Sequence, residues 1–234
     1  MTIKHYFQVF FIALIVSCGP GASQKESTPR AREESAAQEK PKDKRIILFF
    51  GNSITAGYQL AIEQAFPAII QGWLDSLGYD YQVVNAGLSG ETTASGKSRI
   101  DWVLRTKPDI FVLELGANDG LRGLPLEETP KNLQAIIDAV KAINPEVKVI
   151  IAGMMVPPNL GQDYTQGFAD IFPQVAEDND ATLIPFILEK VAGQPELNLP
   201  DGIHPTPEGH ILVAETIWPY LFPLLEKEEN KSES

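Results

Sequence analysis

Apolar residues along the chain fall into two kinds of segment that alternate between residues 45 and 225. Short, nearly continuous apolar runs occupy residues 46–50, 110–115 and 147–152, as expected for strands covered on both faces. Residues 81–85 and 182–184 are further strand candidates. Longer segments with apolar residues at helical spacing lie between these runs. The alternation predicts an α/β fold in which right-handed crossovers build a parallel sheet with helices on both faces.

The helical segments differ in how clearly they begin and end. Predicted helices cover residues 67–77, 92–104, 129–143 and 164–178, and a last helix begins at residue 207. Helix 129–143 has the most regular apolar spacing, and Asn144-Pro145 stops it. Thr206 has the side chain of an N-cap for the last helix, and Pro207 suits its first position. Pro219 is expected to end or kink that helix.

The chemistry of a parallel α/β sheet is expected where its strands end. Ligands bind such sheets at the carboxyl ends of the strands, so functional side chains are expected in the segments that follow them. These segments are residues 51–57, 86–91, 116–122 and, near the end of the chain, 201–204. The chain carries a net charge of −12, which argues against a nucleic-acid partner because phosphates require a basic surface.

The N-terminal segment is organised differently from the rest. Residues 6–16 form an almost wholly apolar stretch that is too short to span a bilayer but suits the core of a secretory signal. Cys18 is the one cysteine in the chain and follows Ile15-Val16-Ser17, a sequence that resembles a bacterial lipobox. We therefore expect residues 1–17 to be a lipoprotein signal peptide and Cys18 to carry a lipid anchor. The alternative is an ordinary signal peptide with an incidental cysteine.

Residues 19–44 contain no aromatic residue and no Val, Ile, Leu or Met, so they cannot contribute a core. We expect residues 18–44 to be the lipidated cysteine and a disordered tether, residues 45–225 a single folded domain, and residues 226–234 a charged tail. The predicted location is the bacterial cell envelope, with the outer membrane favoured because Gly19 gives no retention signal. The sequence indicates no oligomeric state.

Histidine is scarce, which narrows the choice of a general base. His5 lies in the signal segment, and His210 lies in the last helix, where a lone histidine is more often a packing or surface residue. His204 lies in Pro200-Asp-Gly-Ile-His-Pro205, three residues after Asp201. In a turn, this spacing lets the carboxylate bind one ring nitrogen and leaves the other free to act as a base. By itself the pair is equally compatible with a structural turn.

Ser53 is the candidate nucleophile, because it follows the first buried strand and the only cysteine belongs to the anchor. The Gly-x-Ser-x-Gly elbow of α/β-hydrolases does not occur here, since Thr55 stands two residues after the serine. Donors for an oxyanion are available at Gly90, from its backbone N–H, and at Asn118, from its side-chain amide. Taken alone, the segments around these two residues are also ordinary turn formers.

Together and in order, Ser53, Gly90, Asn118 and His204 match the four block residues of the SGNH hydrolases, also called the GDSL family, and the chain resembles that family. The local matches are Gly-Asn-Ser-Ile-Thr-Ala-Gly-Tyr from residue 51, Glu-Leu-Gly-Ala-Asn-Asp-Gly-Leu-Arg-Gly from residue 114 and Asp-Gly-Ile-His-Pro from residue 201. The Leu-Arg-Gly run, Pro157-Pro-Asn-Leu-Gly and residues 164–172 ahead of Pro173 resemble one branch, the bacterial TesA-type thioesterases, arylesterases and lysophospholipases. The resemblance covers nearly all of residues 46–225.

The resemblance implies a three-layer α/β/α, flavodoxin-like fold with a five-stranded parallel sheet in the strand order 2-1-3-4-5. It implies that Ser53 is the nucleophile, that His204 acts as base and then acid, and that Asp201 orients His204. The backbone N–H groups of Ser53 and Gly90 and the side-chain amide of Asn118 would form the oxyanion hole. The implied reaction is hydrolysis of a small-molecule acyl ester or thioester through an acyl-enzyme. No metal and no cofactor is implied.

One residue departs from the family pattern. The residue before the nucleophile is usually Asp and is Asn52 here, which removes a charge and adds an NH2 donor, so we expect a changed hydrogen-bond network with every triad group kept. Two alternatives remain open: a carbohydrate O-deacetylase of the same family, and a non-catalytic envelope lipoprotein on an inherited hydrolase fold. Apolar residues near the edge of a sheet more often belong to the packed core than to a binding groove. The candidates for an acyl groove are Tyr58, Leu60, Met154, Met155, Val156, Tyr164 and Phe168.

Overall fold

Five parallel strands form a sheet in the order β2-β1-β3-β4-β5. The computed structural model describes residues 44–227. The strands are β1 Arg45–Gly51, β2 Tyr81–Gly87, β3 Ile110–Glu114, β4 Lys148–Ala152 and β5 Thr182–Ile184. β1 lies between β2 and β3 and pairs with both in a register that sets Gly51 opposite Gly87 on one side and Glu114 on the other. The carboxyl ends of these three strands therefore meet.

Helices cover both faces of the sheet. Their bounds are α1 Ser53–Ala56, α2 Phe66–Ser76, α3 Thr93–Val103, α4 Ala117–Leu121, α5 Glu128–Ile143, α6 Gln162–Asp178 and α7 Pro207–Leu221. Successive side chains of a strand point to opposite faces. Leu48 and Phe50 accordingly pack in the core with α3, α5 and α6, whereas Ile47 and Phe49 pack in the core with α2 and α7. The result is a three-layer α/β/α arrangement.

The central strands are buried on both faces, which explains their continuous apolar sequences. All five residues of β3 and the last five of β1 are buried. Burial of one large apolar side chain stabilises a fold by roughly 1.5–3 kcal/mol. The packed core therefore fixes the carboxyl ends of β1 and β3, from which residues 51–57 and 116–122 follow.

The predicted fold class and strand order are confirmed. Each predicted strand and each of the first four predicted helices is present, with ends that differ by at most two residues. Thr206 caps α7 as expected, since its side-chain oxygen accepts the N–H of Gly209 at 3.2 Å. His210, on the same helix, is a buried packing residue whose Nδ1 accepts the N–H of Phe66 at 3.1 Å.

Of the two effects predicted for Pro219, an end or a kink, the end does not occur, because α7 continues through Pro219 to Leu221. Pro219 cannot donate to the carbonyl of Glu215, one turn earlier. Both residues are exposed, so water can satisfy that carbonyl, while Ile217 and Leu221 remain fully buried against the sheet. The packing of the buried face therefore outweighs the loss of one hydrogen bond on the solvent face.

Two segments expected to be loops contain short helices. Residues 51–57 include α1, and residues 116–122 include α4. Each helix has only four or five residues, which is too short to leave a periodic apolar pattern in the sequence.

Several predictions concern residues outside the described range. These are the signal peptide with His5, the lipidated Cys18, the tether up to residue 43 and the tail from residue 228 onward. Glu226, the first residue of the predicted tail, is described, and its carboxylate pairs with Arg45 at 2.7 Å and Lys148 at 2.6 Å. Among residues 44–227, none of the helices has the length and apolar character that a membrane span requires.

Candidate active site

Ser53 lies at the start of the single-turn helix α1, directly beyond the end of β1. Asn52 caps this helix, because its Oδ1 accepts the N–H of Ile54 at 3.0 Å. The helix ends at Gly57, and the N–H of Tyr58 donates to the carbonyl of Ser53 at 3.0 Å. Ser53 is 9% exposed, and it lines the cavity described below.

Gly87, at the end of β2, allows α1 to lie against the sheet. A Cβ on Gly87 would be 2.2 Å from the backbone nitrogen of Ala56, which is closer than non-bonded atoms approach. Asn85 supports the same contact by donating from its side chain to the carbonyl of Thr55 at 2.8 Å. The nucleophile turn is thus held against β2 by backbone contact rather than by long side chains.

Asp201, His204 and Ser53 form one hydrogen-bonded chain. Asp201 Oδ2 lies 2.8 Å from His204 Nδ1, and His204 Nε2 lies 2.9 Å from Ser53 Oγ. The other carboxylate oxygen of Asp201 accepts the N–H groups of Ile203 and His204, each at 3.1 Å. The sequence spacing of Asp201 and His204 therefore produces the turn geometry that was inferred from it.

The environment of Asp201 keeps its carboxylate ionised. Partial burial acts to raise its pKa, but the hydrogen bonds from the His204 ring and from two backbone N–H groups outweigh it, and the pKa lies below its ordinary value. An ionised Asp201 accepts a hydrogen bond from a protonated Nδ1 of His204. The other ring nitrogen, Nε2, then has its lone pair directed at the hydroxyl of Ser53. This is the arrangement in which a serine hydroxyl can lose its proton to a base.

Tyr58 packs against the imidazole of His204. The two ring centroids are 4.4 Å apart, and the planes are inclined by 37°. Tyr58 was predicted as an acyl-groove residue, and it lines the cavity as well. Its contact with His204 limits the movement of the ring, so Tyr58 has a positioning effect that the sequence did not indicate.

Gly90 and Asn118 lie at the same cavity as Ser53 and His204. Gly90 has a φ of 81°, a left-handed conformation that glycine adopts readily, and its carbonyl accepts from the guanidinium of Arg122 at 3.0 Å. The side-chain amide of Asn118 donates one hydrogen to the carbonyl of Glu91 at 3.0 Å. Its second N–H has no hydrogen-bond acceptor among residues 44–227. The structure therefore brings together all five residues named from the sequence.

An ion pair between the partly buried Arg99 and the buried Glu91, which the sequence did not reveal, holds the Gly90 segment. The guanidinium of Arg99 donates from Nε to Glu91 at 2.7 Å and from Nη2 to the carbonyl of Ala86 at 2.9 Å. The same group lies over the ring of Phe50, 4.4 Å from its centroid. Glu91 is 3% exposed, so its carboxylate is shielded from solvent, and the pair fixes the backbone that Asn118 also contacts.

Asp119 ties α4 to the start of α3. Its carboxylate accepts the backbone N–H of Thr93 at 2.9 Å and the hydroxyl of Thr93 at 2.5 Å. Asn132 of α5 donates to the same hydroxyl at 3.2 Å. This buried network sets the position of the neighbouring Asn118.

Glu114 also has a structural role that the sequence did not indicate. Its carboxyl lies at the end of β3, beneath the Asn52–Ser53 turn, and accepts four hydrogen bonds from two residues. Asn52 donates from its backbone at 3.1 Å and from Nδ2 at 2.8 Å, and Thr55 donates from its backbone at 3.1 Å and from its hydroxyl at 2.7 Å. Burial raises the pKa of Glu114 to about 7, although these hydrogen bonds oppose the shift.

The cavity above Ser53 has a volume of about 750 Å³ and a largely apolar lining. Of the predicted groove residues, Tyr58, Met155 and Val156 line it. Met154 and Phe168 are core residues instead, and the hydroxyl of Tyr164 donates to the carbonyl of Leu124 at 2.8 Å, away from the cavity lining. Leu60 does not line the cavity either. Apolar lining residues that the sequence did not single out are Leu121, Phe186, Leu188 and Ile203.

Within the described part of the chain, no group of three or more His, Cys, Asp or Glu side chains is arranged to hold a metal ion.

A Ser–His–Asp chain at the carboxyl edge of a flavodoxin-like sheet defines a serine hydrolase of the SGNH type. Residues 49–212 match the GDSL-like Lipase/Acylhydrolase family, and this chain belongs to that family. The predicted family is therefore confirmed.

Two characterised relatives fall in the branch that the sequence resembled. The chain is 40% identical over 182 residues to the protein named Esterase TesA from Pseudomonas aeruginosa, which covers 77% of this chain and 90% of that protein. It is 34% identical over 180 residues to the protein named Thioesterase 1/protease 1/lysophospholipase L1 from Escherichia coli K12, covering 76% of this chain and 84% of that one. The resemblance to the TesA-type branch is thus confirmed.

Solved structures agree with the sequence relationship. A crystal structure of TesA superimposes with a TM-score of 0.74 at 38% identity and covers 77% of this chain and 100% of that chain. The esterase EstA from Pseudoalteromonas, in a form inhibited by monoethylphosphonate, superimposes with a TM-score of 0.73 at 30% identity, covering 77% of this chain and 98% of that one.

The raised pKa of Glu114 predicts a pH dependence of stability. The native carboxyl binds a proton more tightly than the unfolded chain does, where the ordinary value is 4.5. The stabilisation is complete below about pH 4.5 and declines as the pH rises to about 7, by up to about 3 kcal/mol. The glutamine of a Glu114→Gln variant does not titrate. The unfolding free energy of the wild type minus that of the variant should therefore fall as the pH rises from about 4.5 to about 7.

Urea denaturation of both proteins at a series of pH values measures this difference. The variant also loses an acceptor for Asn52 Nδ2, which adds an offset that does not vary with pH. A difference that stays constant from about pH 4.5 to about pH 7.5, or that rises, would show that Glu114 does not titrate in this way.

Proposed function

We propose that this protein hydrolyses carboxylic esters or thioesters through an acyl-enzyme formed on Ser53. The observation that carries the proposal is the continuous hydrogen-bonded chain from Asp201 through His204 to Ser53, with contacts of 2.8 and 2.9 Å at the foot of an apolar cavity. Membership of the acylhydrolase family supports the same reaction class.

In the first step, Ser53 Oγ attacks the carbonyl carbon of the substrate while its proton moves to Nε2 of His204. The ionised Asp201 stabilises the imidazolium that forms and keeps the ring in the correct orientation. His204 then gives the proton to the departing alcohol or thiol, and the bond between the acyl carbon and the leaving group breaks. The acyl group is left bonded to Oγ.

The negative charge that develops on the carbonyl oxygen needs fixed donors. The N–H of Ser53 lies in the first turn of α1, where a helix provides no acceptor for it. The N–H of Gly90 has no protein acceptor among residues 44–227. Together with the second amide hydrogen of Asn118, these groups supply three donors for the oxyanion. Deacylation repeats the sequence with water as the nucleophile and His204 as its base.

The cavity lining supports an apolar acyl group as the part of the substrate that is bound. Lining side chains such as Met155, Phe186 and Leu188 offer no charge and few hydrogen bonds, and they suit a hydrocarbon chain or an aromatic ring. Relatives carry the names arylesterase, esterase, thioesterase and lysophospholipase, which are all activities on acyl esters or thioesters.

Ser53→Ala should abolish turnover, because no other hydroxyl contacts Nε2 of His204 among the described residues. We expect a loss of at least about 10⁴-fold in kcat/KM. The assay is hydrolysis of p-nitrophenyl esters and acyl-coenzyme A thioesters with chains from acetyl to dodecanoyl.

Ser98→Ala is the matched control, since this serine is exposed on α3 and bonds only within its own helix. It should retain wild-type rates. Wild-type activity in Ser53→Ala would refute the nucleophile assignment, and turnover of acetyl esters alone would favour a deacetylase instead.

We also propose that Cys18 is lipidated and that residues 19–44 tether the catalytic domain, residues 45–225, to a membrane of the bacterial envelope. The apolar segment at residues 6–16 and the Ile-Val-Ser-Cys sequence support this proposal. The outer membrane is favoured, because Gly19 gives no retention signal.

Cys18→Ala should prevent both acylation and membrane retention. Expression of the full chain in bacteria fed an alkynyl fatty acid allows the label to be detected on the protein, and fractionation locates it. Ser23→Ala, in the tether, is the control and should behave as the wild type. A Cys18→Ala protein that is still labelled and still pellets with membranes would contradict the anchor.

A further inference from the structure

The side chain of Asn52 holds a fixed orientation among three partners, one of which is Ser53, whose Oγ lies 3.4 Å from Oδ1 of Asn52. Its Oδ1 accepts the N–H of Ile54 at 3.0 Å, and its Nδ2 donates to Oε1 of Glu114 at 2.8 Å. Exchanging the oxygen and nitrogen of the amide would set a donor against the N–H and an oxygen against the carboxylate. The contacts therefore allow only one orientation, in which an amide hydrogen lies between residues 52 and 114.

Among residues 44–227, the carboxyl of Glu114 has no charged hydrogen-bond partner. Its contacts come from Asn52 and Thr55 alone, and Glu114 is 1% exposed. Titratable groups on the surrounding elements are engaged elsewhere. They are His204 with Asp201, Asp119 with Thr93, Glu91 with Arg99, and His210 with the N–H of Phe66.

An aspartate at position 52, the usual residue of the family, would change this contact in a defined way. Its Oδ1 could still accept the N–H of Ile54, but its second oxygen would face Oε1 of Glu114 at the present distance of 2.8 Å. Two carboxylates at such a distance cannot both be ionised, so the pair would retain one shared proton. That proton would be lost at alkaline pH, and the two like charges would then repel within the core.

We propose that the amide hydrogen of Asn52 replaces a proton shared between two carboxyl groups, so that the turn carrying Ser53 stays assembled at alkaline pH. An amide hydrogen does not titrate, and the ionised Glu114 has four donors without any added proton. Asn52 and Glu114 are positioning residues: Glu114 acts on Ser53 through the turn, and Asn52 acts through the turn and through its Oδ1, which lies 3.4 Å from Ser53 Oγ. The inference rests on the proposed role of Ser53 as a nucleophile.

The amide and the carboxyl group can be exchanged between positions 52 and 114. Asn52→Asp places two carboxyls in contact, and Glu114→Gln places two amide NH2 groups in contact. The double variant, Asn52→Asp with Glu114→Gln, again has one carboxylate and one amide, with the donor now at position 114. In that variant the amide introduced at position 114 would donate to the carboxylate introduced at position 52, and no shared proton would be required.

The experiment measures the second-order rate of Ser53 modification by a p-nitrophenyl alkylphosphonate from about pH 6 to about pH 10, together with the thermal midpoint by tryptophan fluorescence. The wild-type rate should show no decline toward the alkaline end of this range. The Asn52→Asp variant should react at the wild-type rate near pH 7 and at least tenfold more slowly than the wild type by about pH 10. Its thermal midpoint should fall over the same pH range. The reaction rate of the double variant should not decline at alkaline pH in this way.

A matched exchange of another amide–carboxylate pair controls for general effects. Gln166 donates to Asp170 at 2.7 Å on the exposed face of α6, and Gln166→Glu with Asp170→Asn should leave the profile unchanged. Three results would each overturn the proposal: an Asn52→Asp profile parallel to wild type, an Asn52→Asp protein that does not fold near neutral pH, or a double variant as impaired as Asn52→Asp.

These measurements test the role of Ser53 and the role of the Asn52–Glu114 pair separately. A wild-type protein that neither hydrolyses esters nor reacts with the phosphonate would refute the proposed function. The thermal midpoints of the same variants would still report whether the pair at residues 52 and 114 depends on pH. An active wild type with identical profiles in all variants would remove the present inference and leave the proposed function intact.

Discussion

The candidate site depends on the hydrogen bonds that join the turn after β1 to the carboxyl group at the end of β3. Asn52 and Thr55 direct four donors at Glu114, which fixes α1 and therefore Ser53 relative to the sheet. The parallel register makes this possible, because Gly51 lies opposite Glu114 on one side and opposite Gly87 on the other. The segments carrying Gly90, Asn118 and His204 then surround a nucleophile turn whose position is already set.

The two carboxyl groups of the site have contrasting environments and correspondingly different uses. Asp201 lies in an exposed turn, where hydrogen bonds keep its pKa low and a charge is available to orient His204. Glu114 is buried with no cation beside it among the described residues, and burial raises its pKa to about 7. Its structural role is to accept hydrogen bonds from the turn that carries Ser53. An ion pair at that position would require a buried cation, whereas the neutral donors of Asn52 and Thr55 satisfy the carboxyl without one.

Sequence analysis located most of the fold because the central strands are apolar on both faces and the helices are regular. It also named Ser53, Gly90, Asn118, Asp201 and His204, since each belongs to a short segment that resembles a block of the SGNH hydrolases. The ion pair of Glu91 with Arg99 and the contacts of Glu114 could not be found in this way. Glu114 lies 62 positions from Asn52, and a single sequence carries no mark of which distant polar residues will meet in a core. The short helices α1 and α4 escaped detection for a different reason, because one helical turn has no period to observe.

The nucleophile assignment is decided most directly by peptide mapping after the folded protein has reacted with an activated phosphonate. The geometry of Ser53, His204 and Asp201 predicts a single adduct on Ser53, and it predicts that His204→Ala prevents the adduct from forming. An adduct on another residue, or a Ser53 that reacts equally well without His204, would show that the hydrogen-bonded chain does not activate this serine.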